Sequence, residues 1–294
     1  MFQLLVAGLT VGSGYALVAL GIHIILRATR IVNFAQGEFT IVGGLFALSC
    51  VQLFHVNTWF ALGGATLAGF VLGLAFERFV LRPAGRSGEI ALTIATLGTV
   101  YILLYGHALV PAWGSLPQPL PPFSGAVSDA IVAGDASIQV QSLWVLGLLA
   151  AALGVLYLFF ERTYFGKAIR AAANNPAGAK LIGIDVTGTR AVSVALSIAL
   201  AAYGGTIIGP ITLVGGAGGT AIAIKGFVGA IVGGLESPAG CVAGGLLVGV
   251  IEKLIQGLPG VSYGISDPIV YSLLLIGLLV RPQGLFGTRE AVRD

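Results

Sequence analysis

Charge is what this sequence has least of: only 9% of its 294 residues are Asp, Glu, Lys or Arg, against about 25% in an ordinary soluble domain. That excludes a water-soluble globule, whose surface needs far more polar side chains, and makes a lipid bilayer the surroundings of most of the outer face. Cysteine is scarce as well. Cys50 and Cys241 each sit alone in an apolar stretch, so there is neither a disulfide framework nor a zinc site with paired ligands, and both read as small packing residues. The three histidines, His23, His55 and His107, are far apart and no H-E-x-x-H occurs, so no metal site is expected. No phosphate-binding G-x-x-x-x-G-K-[ST] occurs either: Gly215-Gly-Ala-Gly-Gly219 runs into Thr220-Ala-Ile, and any ATP that drives this chain is hydrolysed by another. Gly-x-Ser-x-Gly is absent, which removes support for a membrane serine hydrolase. The first basic residue, Arg27, follows the first apolar run, so residues 2–26 are expected to stay as a membrane helix rather than leave as a signal peptide.

What is present is apolar. Hydrophobic residues make up 56% of the chain and the mean hydropathy is +0.98. Windows near the ~20 residues that a spanning helix needs fall at 2–26, 39–55, 59–76, 90–110, 143–160, 190–210, 218–235, 238–255 and 264–280. The expectation is an all-α integral membrane protein, a polytopic helical bundle of eight or nine transmembrane segments. The windows 39–55 and 218–235 are the candidates for broken or re-entrant helices, the first for its length and the second for Lys225 and four glycines. Glycine, at 45 residues, lies inside apolar runs, where small residues let helices approach closely. Gly229 and Gly233, and then Gly240 and Gly244, repeat the four-residue glycine spacing. They predict a close helix pair, within the chain or between subunits.

Basic residues cluster at Arg78, Arg82 and Arg86, at Arg162, Lys167, Arg170, Lys180 and Arg190, and at Arg281, Arg289 and Arg293. Cytoplasmic loops collect Lys and Arg, which puts these clusters and the C-terminus inside and, counting backward, the N-terminus outside. Segment 111–142 has no Lys or Arg and five prolines between Pro111 and Pro122. It is expected as an external loop without regular structure, either a cover or a docking surface. Segment 161–189 is expected inside as two short helices, with Asn174-Asn-Pro176 stopping the first and capping the second, and Gly183 ending the second. Nearly thirty residues are more than a connection between spans requires, so this segment is expected to touch a partner.

Charges inside apolar runs cost at least about 2.5–3.5 kcal/mol at a helix centre. Asn33, Gly37 and Glu38 share one helical face, and Lys225 lies within 218–235. Glu38 and Lys225 either mark helix ends that reach an interface or, with Asn33, Gln36 and Gly37, line a polar path offering a zwitterionic solute both signs of charge. The two interrupted segments, around 33–38 and 215–225, are the kind of pair that flanks a substrate path.

Five blocks in order then resemble one family: Gly14-Tyr-Ala-Leu-Val-Ala-Leu-Gly21 with Ile31-Val-Asn-Phe-Ala-Gln-Gly-Glu38; Glu77-Arg-Phe-Val-Leu-Arg-Pro83; Gly166-Lys-Ala-Ile-Arg-Ala-Ala-Ala173; Asn175 to Ile184; and Lys225 to Gly234 with Ser237-Pro-Ala-Gly240. Together they resemble the LivH-type permease subunits of branched-chain amino acid ABC importers, over residues 8–286. The resemblance implies one transmembrane permease domain, 1–294, in a bacterial cytoplasmic membrane. It implies a second permease subunit, two cytoplasmic ATP-binding subunits and an external substrate-binding protein as partners, with ATP on the partner subunits and no cofactor on this chain. It gives 166–184 the role of coupling helices, with Lys167, Arg170, Asn175, Pro176, Ala177, Gly178, Ala179 and Gly183 at the ATPase contact. Two positions depart from the family's pattern: Ala177-Gly-Ala179 where an acidic residue precedes two alanines, and Gln36 where His is common. Urea or short-chain amide permeases of the same family are the nearest alternative. An ion-gradient-driven carrier is disfavoured by the few membrane-embedded acids, and an enzyme by the absence of any nucleophile and base arrangement.

Overall fold

The computed structural model describes residues 1–114, 116–126, 129–133, 136–258, 263–280 and 284–286. Its helices are α1 (Phe2–Thr29), α2 (Gln36–Phe54), α3 (Thr58–Phe76), α4 (Arg82–Ala84), α5 (Glu89–Gly106), α6 (Val140–Arg162), α7 (Tyr164–Asn174), α8 (Pro176–Leu181), α9 (Val186–Thr212), α10 (Gly218–Gly233), α11 (Pro238–Gln256) and α12 (Tyr263–Val280). Seven helices are long and apolar enough to cross a membrane; α10, at 16 residues, is shorter, and α12 has 18. Every apolar window of the sequence therefore holds a helix among the described residues. Arg281, Arg289 and Arg293 lie outside them.

The centre of the bundle is α1, which is apolar on all sides and buried from Ser13 through Ile25, as a helix surrounded by others should be. It packs on α9, α10 and α11, while α2 and α3 cover the other side of α9. Between lipid-like surfaces no hydrophobic effect drives helices together, so close packing must do it, and glycine makes the contact. A Cβ on Gly8 would stand 2.6 Å from the Val250 Cα, one on Gly12 2.9 Å from the Leu246 Cα, and one on Gly229 2.7 Å from the Gly245 Cα. Gly233 and Gly240 face each other's carbonyls in the same way. Gly244 is buried against α10, where a Cβ would collide with the Gly229 carbonyl and stand 2.7 Å from the Gly233 nitrogen. Of the two settings that the glycine spacing left open, the structure shows the one within the chain: Gly229, Gly233, Gly240 and Gly244 bring α10 and α11 together. Gly245 and Gly249 then bring α11 onto α1.

Helix α3 does not stop at the end of its apolar window. It continues through a π turn over Glu77–Leu81 because the buried Glu77 finds cations there: Arg82 at 3.0 Å and Arg190 at 3.8 Å. The proline-rich segment lies down over the bundle. Gln118 and Val214 exchange backbone hydrogen bonds of 2.8 Å, Leu120 and Phe123 are buried, and the Trp59 indole donates to the Phe123 carbonyl at 3.1 Å. The expectation of no regular structure from 111 to 142 needs one amendment: Ala130–Ala133 and Ala136–Gln139 pair as an antiparallel hairpin, β1 and β2. Its sequence signal was Gly134-Asp135 between Ile131-Val132 and Ile138, a short hairpin pattern.

Gly249 packs on the Gly12 backbone, whereas a Cβ on Gly98 meets open space. Gly249→Val is therefore expected to lower the thermal midpoint of the detergent-solubilised protein by several degrees, an overpacking cost of about 1–3 kcal/mol, with Gly98→Val close to wild type. Equal midpoints for the two variants would remove the glycine contacts from the stability of the bundle.

Candidate translocation site and coupling face

Chain 31–35 turns back into the bundle after α1 ends at Arg30, which holds φ +61° as the helix cap. Helix α2 then starts partway along its neighbours. The Gln36 amide donates at 2.9 Å to the carbonyl of Ser197, which lies about 16 Å up α9 from its first residue at ~1.5 Å per residue. Ser197 Oγ donates its one proton at 2.8 Å to the Gly21 carbonyl with Gln36 Oε1 a second, shared acceptor at 3.1 Å, and Asn33 Nδ2 donates to Gln36 Oε1 at 3.2 Å. Asn33, Gln36 and Ser197 are all buried. They form a clamp that ties α1, α2 and α9 together, with both the nitrogen and the oxygen of the Gln36 amide engaged.

Beside this clamp the two interrupted segments meet. Gly37 lies so close to α10 that a Cβ would collide with the Gly219 carbonyl, and the Glu38 carboxyl group packs against Gly219 in return. Thr220 Oγ1 donates to Glu38 Oε1 at 2.9 Å. A carboxylate is well placed here because it faces the first turns of two helices, whose N-termini carry partial positive charge. Glu38 is only 1% exposed, but Thr220 and Ile224 face out of the chain. The junction is thus a buried acid reached from the open face of α10.

Lys225 lies elsewhere. Its Nζ donates to Glu252 Oε1 at 2.9 Å and stands 2.7 Å from Asp267 Oδ1, while the Tyr15 hydroxyl donates to Glu252 Oε2 at 2.8 Å. Among the described residues Glu38 is in no ion pair, and those of Lys225 are with Glu252 and Asp267. Lys225 is 6% exposed in the middle of α10. Glu252, Asp267, Tyr15 and Ser197 are scattered through apolar runs, and spacing alone does not bring them together.

The segment after α6 forms two capped helices. Thr163 accepts from Gly166 N at the start of α7, and Asn175 accepts from Gly178 N at 2.9 Å at the start of α8. Gly183 ends the pair at φ +84°, a conformation that glycine adopts without strain. Helix α7 buries Gly166, Ala168, Ile169 and Ala172 against the bundle, and Arg170 pairs with Glu161. Lys167, Pro176 and Ala177 are exposed, whereas Ala179 points inward. Leu181 and Ile182 point away, 89% and 75% exposed, beside Lys180. This apolar pair is the part of segment 161–189 that its basic pattern hides.

These features define a polytopic helical membrane protein, with two helices that begin inside the bundle and a structured hairpin at its basic end. Comparison with known proteins places it. Residues 4–280 match the family described as "Branched-chain amino acid transport system / permease component". The chain is 34% identical over 285 residues to the probable branched-chain amino acid transport permease protein LivH of Methanocaldococcus jannaschii, covering 92% of this chain and 88% of that one. It is 30% identical over 300 residues to the high-affinity branched-chain amino acid transport system permease protein BraD of Pseudomonas aeruginosa, covering 98% and 96%. Among solved structures, PsaBC from Streptococcus pneumoniae in complex with Fab shares the fold, with a TM-score of 0.53 at 14% identity over 95% of this chain and 92% of that one. The chain belongs to the branched-chain amino acid transport permease family. It is a multi-pass membrane permease component of a transport system.

Removing Lys225 leaves Glu252 and Asp267 without their cation, and breaking a buried pair costs about 3–5 kcal/mol. Lys225→Met is expected to lose most of its monodisperse yield and Lys225→Arg to recover part of it. Glu38→Gln, which still accepts from Thr220, is expected to fold normally. Size-exclusion profiles of the three variants check this, and a normal profile for Lys225→Met would show the cluster to be dispensable for folding.

Proposed function

We propose that this chain is half of the membrane pore of an ATP-driven importer that moves a branched-chain amino acid from an external binding protein into the cytoplasm. The observation that carries this reading is the α7–α8 hairpin. Two capped short helices set Leu181 and Ile182 out from the basic end of the bundle, a shape suited to a groove on another protein. The basic end is cytoplasmic in this reading, from the clustering of Lys and Arg, with the N-terminus outside and the C-terminus inside a bacterial inner membrane. Two ATP-binding subunits seat on the hairpin and hydrolyse the ATP, and a second permease chain completes the pore.

Transport follows an alternating-access cycle. Closure of the ATPases displaces α7 and α8, which rest on α9. Helix α9 carries Ser197, the residue that holds the start of α2. The displacement is thereby delivered to the α2–α10 junction, where Glu38 and Thr220 stand at the open face. Asn33, Gln36 and Gly37 set the position of that junction, Glu38 offers the solute's ammonium group an acceptor, and Lys225 acts by holding α10 to α11 and α12. Urea and short amides are the alternative solutes; they lack a full positive charge for Glu38 to attract.

Uptake of radiolabelled leucine into proteoliposomes holding the assembled transporter, with ATP inside, tests the reading. It should stop without ATP and survive collapse of ion gradients; the reverse pattern would mark an ion-driven carrier. Glu38→Gln should cut leucine uptake at least tenfold with assembly intact. The double variant Leu181→Glu, Ile182→Glu should insert normally yet lose co-purification of the ATPase subunits, and Gly183→Pro should hydrolyse ATP without matching uptake. Full uptake by all three would remove both the junction and the hairpin from the mechanism.

A further inference from the structure

A cavity of about 620 Å³ opens at the basic end between α6 and α11, bordered by α1 and α7. Its walls are mostly apolar, with Ile24, Leu153, Phe160, Val242 and Leu246 among them, and they also include Glu161, Arg170 and Glu236. It reaches from Glu161 to Leu153 along α6 and from Pro238 to Leu246 along α11, about 12 Å at 1.5 Å per residue. That depth approaches one leaflet of a hydrocarbon core ~30 Å thick. A second, small pocket of about 50 Å³ adjoins it, the two sharing Arg27, Ala28, Ile169 and Ala173. Three arginines line the small pocket, Arg27, Arg30 and Arg190, the last also donating to the Leu81 carbonyl at 3.3 Å. Among the described residues neither Arg27 nor Arg30 is in an ion pair. Arg190 Nε is buried with no hydrogen-bond acceptor and stands 3.8 Å from Glu77 Oε1.

A pocket for a compact anion that opens into an apolar slot of one-leaflet depth describes an amphiphile. We propose that a membrane phospholipid seats here, its phosphate among Arg27, Arg30 and Arg190 and one acyl chain in the cavity between α6 and α11. A free anion would use the arginines and leave the apolar slot unfilled, and so would an acidic side chain of a partner protein. Arginine suits a phosphate because its planar fork offers parallel donors to two oxygens. Such a lipid would brace α6 and α7 against α1, at the root of the hairpin.

Native mass spectrometry of the intact transporter, titrated with dioleoyl phosphatidylglycerol, reads the site directly. One lipid per chain should persist after the bulk lipid is stripped. The double variant Arg27→Gln, Arg30→Gln should weaken retention at least tenfold. Val242→Trp, which fills the cavity and leaves every charge in place, should do the same, while soluble glycerol phosphate should not compete. Unchanged retention in both variants would overturn the proposal. So would competition by glycerol phosphate at the lipid's own concentration, which would make the pocket a site for free phosphate. Loss of ATPase subunits from the arginine variant with lipid retention intact would assign the arginines to a protein contact and overturn it as well.

Discussion

Lipid offers no partner to a backbone N–H, so a helix that begins inside a membrane must find its partners in the protein. This chain has two helices that start within the bundle, α2 at Gln36 and α10 at Gly218, and much of the bundle is arranged around them. Asn33 turns its side chain to the backbone N–H of Ala35 at 3.2 Å. The Glu38 carboxyl group lies across the first turn of α10, and the irregular chain from Leu213 to Ala217 is held by its pairing with Gln118. The proline-rich segment is thus needed to cover exposed backbone, whatever else binds to it. The glycines serve the same end, since α2 and α10 could not approach with a side chain at position 37.

The polar groups of the interior separate into fixed and adjustable sets. The Lys225 cluster spans α1, α10, α11 and α12, with Glu252 bonded to Tyr15, Lys225 and Gln256 and Lys225 paired with both Glu252 and Asp267. The Gln36 clamp spans α1, α2 and α9. Moving either would break several buried bonds at once. The Glu38–Thr220 contact differs: Glu38 accepts from one residue of α10, through its hydroxyl and its backbone N–H, and that residue lies at an exposed face. A junction of that kind can open at small cost, so the change of access is assigned to it.

Helix positions were legible because apolar length alone marks them, and the α2 start because Asn33, Gln36 and Glu38 break an apolar run. The glycine spacing from Gly229 to Gly244 announced a close helix pair, though not that both helices belong to one chain. Depth was not legible. Nothing in the spelling of residues 31–38 says that the chain climbs back to the level of Ser197. The partners of Lys225 were hidden for a related reason: Asp267 and Tyr15 are far from it in sequence and look like isolated polar residues in long apolar windows. Basic residues drew attention to 161–189, yet its outward face at 181–182 is apolar, which a charge count passes over. The resemblance to LivH-type permeases identified the family from motif order, while the roles within the motifs needed geometry. Gln36, at a departure from the family's pattern, is an interior brace here.

The assignment of solute access to the α2–α10 junction is tested by tying it shut. Ile41 and Gly218 are in contact across it, 3.8 Å separating the Ile41 Cδ1 from the place of a Gly218 Cβ. A transporter carrying Ile41→Cys and Gly218→Cys, bridged by a short bifunctional thiol reagent, should keep hydrolysing ATP while leucine uptake falls to background, and cleavage of the bridge should restore uptake. Undiminished uptake by the fully bridged protein would contradict a moving junction between α2 and α10.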